Sequence, residues 1–151
     1  MGNYASFTIK DVCKALDGVC RSRVHGWTQL SPFSKMETTE RSARHFGMAD
    51  LLTMAVLKSL EDRFGLKNRL LGNLSSGIHQ YLSEPRAVSI DEWIFINQAD
   101  GVTRNIKTIP TNQPGWVMNM AEERNRINIF LGIVPPQREL ALISSMLTHA
   151  R

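Results

Sequence analysis

FTIKDVCKALDGVCRSRVHGW, Phe7 to Trp27, is the stretch on which the reading of the whole chain turns. Thr8 is a helix-capping residue type, and Asp11 stands at the third helical position behind it, which makes a near capping box. Ile9, Val12, Cys13 and Leu16 follow with i, i+3, i+4, i+7 spacing, one apolar stripe. Asp17-Gly18 breaks that helix. A second short helix is predicted from about Cys20 through RSRVHGWTQ, with Val24 and Trp27 three apart on its inner side. Ser31-Pro32 stops it. Two short helices joined by a tight glycine turn are one of two things: a plain helical hairpin or a helix-turn-helix.

The neighbouring segments extend the pattern. FSKMETTERSARHF, residues 33–46, alternates loosely around the polar tip Glu37-Thr38-Thr39-Glu40 and predicts a β-hairpin. From Met48, the apolar positions Leu51, Leu52, Met54, Ala55, Leu57 and Leu60 predict a strong helix that Gly65 ends. Asp50 sits in its first turn, where a negative charge suits the helix dipole. A further helix over roughly Lys67–Leu82 carries Leu70, Leu71, Leu74, Ile78, Tyr81 and Leu82. Its Gly72, Ser75, Ser76 and Gly77 make it poor in isolation, so it needs packing from elsewhere. Pro85 closes it.

Beyond that point the character changes, and a boundary is expected near residues 84–87. EWIFINQADGVTRNIKTI holds two β-rich runs around the Asp100-Gly101 turn. Asn112–Gly115 reads as a loop, RINIFLGIV as a third strand, and RELALISSMLTH as a terminal amphipathic helix after Pro135-Pro136. The fold class expected is α+β. A helix-turn-helix unit with its hairpin fills residues 1–65, a connecting helix 66–85, and a small mixed α/β part 86–151.

The chain has 151 residues and a formal net charge of +4. The excess is uneven. Residues 1–46 hold seven bases against four acids, whereas residues 84–151 hold seven of each. A basic first third suits a nucleic-acid contact there and another task for the neutral last third. The two cysteines, Cys13 and Cys20, have neither zinc spacing nor the pattern of a secreted disulfide framework. No run approaches a membrane span, and the first residues lack a signal-peptide core. These features lead to the expectation of a soluble protein in a reducing compartment, the cytoplasm, without membrane contact.

On the second helix, the outer side offers Arg21, Ser22, Arg23, His25, Thr28 and Gln29. Arginine pairs well with guanine in the major groove and glutamine with adenine. The hairpin would add Lys35, Arg41, Arg44 and His45 as phosphate contacts. The order of elements resembles the winged helix-turn-helix of the MerR family over about residues 6–64. The residues that carry the likeness are Thr8-Ile9, Val12, Gly18-Val19, Val24, Trp27, Arg44-His45-Phe46 and Asp50-Leu51. The resemblance implies a winged DNA-binding module, of a kind also found in phage repressors and excisionases. This chain departs from that pattern in five ways. Asp17 is one residue extra in the turn, Arg21 replaces a common proline, and Gly26 stands where an aromatic is usual. The Gly/Ser-interrupted segment replaces a long dimerising coiled coil. No metal-binding cysteine pattern follows, so metal sensing does not carry over.

An enzyme is not expected. His25, His45, His79 and His149 stand apart from carboxylates or cysteines at ligand or triad spacing, and no Walker loop, GxGxxG or GxSxG is present. No cofactor is implied. In the last third, Trp93, Phe95, Trp116 and Phe130 are open to three readings: core, dimerisation surface or effector pocket. The function expected is a sequence-specific double-stranded DNA-binding regulator. It would act as a homodimer and a repressor of phage or mobile-element type. The alternatives are an excisionase-like DNA-bending role and a protein-interaction module without DNA.

Overall fold

The computed structural model describes residues 6–36, 44–87 and 89–133. Helix α1 spans Ile9–Ala15 behind its Thr8 cap. The Asp11 amide donates to Thr8 Oγ1 at 3.3 Å, and the Thr8 amide returns a bond to Asp11 Oδ2 at 2.9 Å. The Thr8 amide, then the Thr8 hydroxyl, which also donates to Asp11 Oδ2 at 2.9 Å, hold the Asp11 carboxyl below its ordinary range. The chain then leaves the helix through two left-handed residues, Asp17 (φ 58°) and Gly18 (φ 75°). A Cβ on Gly18 would have open space around it, so glycine serves backbone conformation there and not clearance.

Helix α2, Arg21–Thr28, buries Val24 and Trp27 completely or nearly so. Leu30–Met36 do not begin a strand, contrary to the hairpin expectation. Phe33–Lys35 form a short 3-10 helix, with Met36 N donating to Phe33 O at 3.1 Å. Phe33 is fully buried, edge-on to His79 at 5.8 Å between ring centres. Phe33 and Met36 are three apart, the 3-10 period, and burial of that pair outweighs the weak alternation. Residues 37–43, the tip and half of the return strand of the expected hairpin, lie outside the described residues. Where the chain re-enters, Phe46 makes a two-bond antiparallel bridge to Phe7, each bond 2.8 Å, and both rings are buried.

Helix α3, Met48–Phe64, starts where the Gly47 amide donates to Asp50 Oδ2 at 2.7 Å and ends on Gly65 in the left-handed conformation, φ 68°. It is buried almost all round from Leu51 to Leu57, which marks it as the central helix. Helix α4, Asn68–Ser83, turns Leu71, Leu74, Ile78, Tyr81 and Leu82 inward. Its small residues have specific neighbours. Ser75 donates to the Ser31 carbonyl, and Ser76 Oγ bonds Ser31 Oγ at 2.9 Å. Gly77 lies directly under Gly101, in the turn of a following hairpin.

That hairpin consists of strands β1, Trp93–Asn97, and β2, Thr103–Asn105. A third strand, β3, Gly115–Asn119, pairs on the other side of β1, so the sheet is antiparallel in the order β2-β1-β3. Phe95 stands opposite Arg104 on β2 and Val117 on β3. Ile94, Ile96 and Met118 face the helices and are buried. The third strand is therefore GWVMN, and the described part of RINIFLGIV, residues 126–133, is not a strand. Its Arg126–Phe130 portion belongs to helix α5, Met120–Phe130. Asn119 caps that helix by accepting from the Glu122 amide at 3.3 Å, and acids occupy its first turn. Met120, Glu123 and Ile127 are its buried stripe, at helical spacing. The terminal amphipathic segment lies outside the described residues.

The described residues form an α+β architecture of five helices, the short 3-10 turn and one three-stranded antiparallel sheet. One apolar cluster runs continuously from Phe7 and Val12 through α3 to Ile94, Met118 and Ile127. Two buried carboxylates tie α5 in place. Arg124 Nε donates to both Glu92 oxygens at 3.0 and 2.9 Å, and Ser59 donates to Glu123 Oε1 at 2.6 Å. No helix among the described residues is long and apolar enough to cross a membrane.

Candidate nucleic-acid interface

Helical geometry sorts the residues of α2 by direction. At 100° per residue, Arg21, Ser22, His25 and Gln29 fall within one arc of about 100°. All four are exposed. Val24 and Trp27 point the opposite way, into the core. The arc holds one permanent cation, one imidazole, one hydroxyl and one amide, with no acid among them.

Two residues expected on the outer side are elsewhere. Thr28 is 1% exposed, and its hydroxyl donates to the His25 carbonyl at 2.6 Å, so it offers nothing outward. Arg23 lies on the α3 side of the helix. Its Nη2 meets Asp62 Oδ1 at 2.8 Å, and its Nε lies 3.3 Å from Glu61 Oε1, too poorly aligned for a hydrogen bond. The guanidinium sits 5.3 Å from the centre of the Trp27 ring. Burial alone would lower the Arg23 pKa. The Asp62 bond and the charges of Glu61 and Asp62 outweigh it and raise the pKa. Trp27 Nε1 also donates to Glu61 Oε2 at 3.0 Å. Glu61 and Asp62 thus clamp α2 onto α3, a pairing the sequence reading did not include. A signal for it existed: two acids at the C-terminal end of a helix oppose its dipole and need cations nearby.

The remaining expected contacts are spread out. Lys35 is exposed on the 3-10 turn. His45 is exposed, with Nδ1 3.0 Å from Ser6 Oγ, and Arg44 beside it is half-buried. Arg41 lies outside the described residues. Cys20, not singled out from sequence, is exposed at the N-cap of α2 with Sγ 3.2 Å from Ser22 Oγ. The Ser22 hydroxyl, then the Arg23 amide, lower the Cys20 thiol pKa.

The aromatics of the last third take different roles. Phe95 is 3% exposed under the Arg104 guanidinium, 5.6 Å away, and Trp116 is half-buried. Trp93 is 43% exposed beside an open hollow of about 240 Å³ lined by Ile106, Lys107, Ile109 and Val117. Phe130 is 38% exposed at the end of α5. Compared with protein-family models, curated proteins and solved structures, the chain matches none.

Proposed function

We propose that this protein is a sequence-specific double-stranded DNA-binding regulator, a compact repressor of phage or mobile-element type. Its N-terminal part would be a winged helix-turn-helix of the MerR-like kind. The observation that carries the reading is the α2 arc: Arg21, Ser22, His25 and Gln29 stand together, exposed and acid-free, opposite a fully buried Val24 and Trp27. A helix set on the first helix in this way can lie in the major groove with that arc toward the base edges. Arg21 would read guanine and Gln29 adenine, while Lys35 and Arg44 would contact phosphates. The Arg23 clamp supports the reading indirectly, because a reading helix must be held rigidly by its scaffold. Operators with two half-sites suit a homodimer formed through the last third.

The test is selection of duplexes from a random pool, followed by titration of the enriched site. Arg21→Ala should weaken the selected site by about 1–3 kcal/mol and relax preference at one position. Enrichment of no sequence by the wild type, or an Arg21→Ala protein with unchanged affinity and preference, would overturn the proposal.

A further inference from the structure

We infer that the edge of β3 left unpaired among the described residues is a self-association site, where a second copy of this chain adds its own β3 in antiparallel pairing to make a continuous six-stranded sheet. The hydrogen-bond phase of the sheet identifies the edge. Gln98 donates to the Pro114 carbonyl at 3.1 Å, and Met120 donates to the Glu92 carbonyl at 2.8 Å. Carried through the register, this alternation turns the N–H and C=O of Trp116 and Met118 toward β1. Those of Gly115, Val117 and Asn119 point away from it. Asn119 is engaged in starting α5, which leaves Gly115 and Val117 as the groups that face outward.

The two edges of the sheet differ. β2 is three residues long, carries Arg104, and its turn is packed on α4 through Gly77 and Gly101. Short, charged, covered edges are the usual protection against pairing. β3 has five residues and no charge, GWVMN. Such an edge is a template for another strand.

A second copy is the occupant because the strand is complementary to itself. A two-fold axis at Val117 pairs Val117 with Val117 of the partner subunit through two backbone bonds. It sets Gly115 against Asn119 of the partner subunit, and Trp116 against Met118 of the partner subunit. No like charges meet in that register. A half-buried tryptophan gains a methionine neighbour, a favourable sulfur–aromatic contact. Apolar surface continues beside the edge: Val117 lines the hollow next to the exposed Trp93. The inference stands on the sheet alone and is independent of the DNA reading.

The experiment measures sedimentation of the full chain over a concentration series, together with amide exchange at Val117. Wild type should move from the 17.0 kDa chain mass toward twice that value as concentration rises. The Val117 amide should exchange more slowly over the same range. Val117→Pro removes an N–H that β1 does not use, so the subunit keeps its own ladder while the dimer is lost. Val117→Lys sets two like charges opposite each other at the axis and should also leave only monomer. Wild type that stays monomeric overturns the inference. So does a dimer that survives in either variant when folded, or Val117 protection independent of concentration. Titration of the selected duplex is scored separately: wild type that dimerises but enriches no DNA sequence leaves this inference intact and sinks the DNA reading.

Discussion

Arg23 illustrates how a basic residue on the proposed reading helix can work for the scaffold. Its two acidic partners on α3 and the Trp27 ring compete with any outside acceptor. Arg23→Ala should therefore lower stability and leave base preference unchanged. The side chains are 30% exposed for Arg23 and 44% for Asp62, so screening limits the loss to about 0.5–1 kcal/mol in denaturant titration. A relaxed operator preference with unchanged stability would show that the clamp opens on DNA. The pH dependence has a definite sign. Burial pushes the Asp62 carboxyl up, but the bonds from Lys58 and Arg23 outweigh it and hold its pKa below the ordinary value. The stability it contributes is present above the unfolded-state pKa and is lost as pH falls through the lower folded value. The gap between wild type and Arg23→Ala should narrow over that acidic interval.

At the scale of elements, α4 reads poorly as an isolated helix because its small residues serve its neighbours. Gly77 lets the β1–β2 turn approach its backbone, and Ser75 and Ser76 hold the Ser31 loop. Gly101 is at φ +73°, and a Cβ there would lie 2.6 Å from the Leu74 Cα. Gly101→Ala should cost at least about 1–3 kcal/mol through backbone conformation and lost packing together. Gly72 is the internal control. A Cβ there would make an ordinary 3.5 Å contact with Leu30, so Gly72→Ala should be neutral or add up to about 1 kcal/mol. Equal thermal shifts in the two variants would refute this account of the helix.

Over the whole molecule, α3 is the shared wall. α2 packs on one side of it, α4 along it, and α5 reaches it through the Ser59–Glu123 bond. The sheet and α5 are joined through Glu92, which is 4% exposed: its backbone carbonyl accepts from the Met120 and Ala121 amides, and its carboxylate accepts from Arg124. Arg124→Ala leaves that carboxylate buried without its cation and should cost about 3 kcal/mol. Because the apolar cluster is continuous, the loss should shift one cooperative unfolding transition. A separate early transition of the last third, with the helices unchanged, would contradict that coupling.

The boundaries of α1, α2, α3 and α4 were legible in the chain because their signals are local. Caps act within four residues, apolar stripes repeat every turn, and Asp17, Gly18 and Gly65 mark the exits. Helical period puts Arg21, Ser22, His25 and Gln29 on one side, but the sequence also offers Arg23 and Thr28 there, and only their contacts in the fold remove them. Tertiary structure decided the rest. Arg23 is withdrawn by acids 38 and 39 residues away on α3, Phe33 is taken into the core instead of a strand, and Ile127 is drawn into the core on a helix. β3 forms where Gly115 lets the backbone pass the Phe95 ring, a clearance set by another strand. Local hydrogen bonding chose the helices, and burial against distant partners chose the third strand, the clamp and the exposed edge.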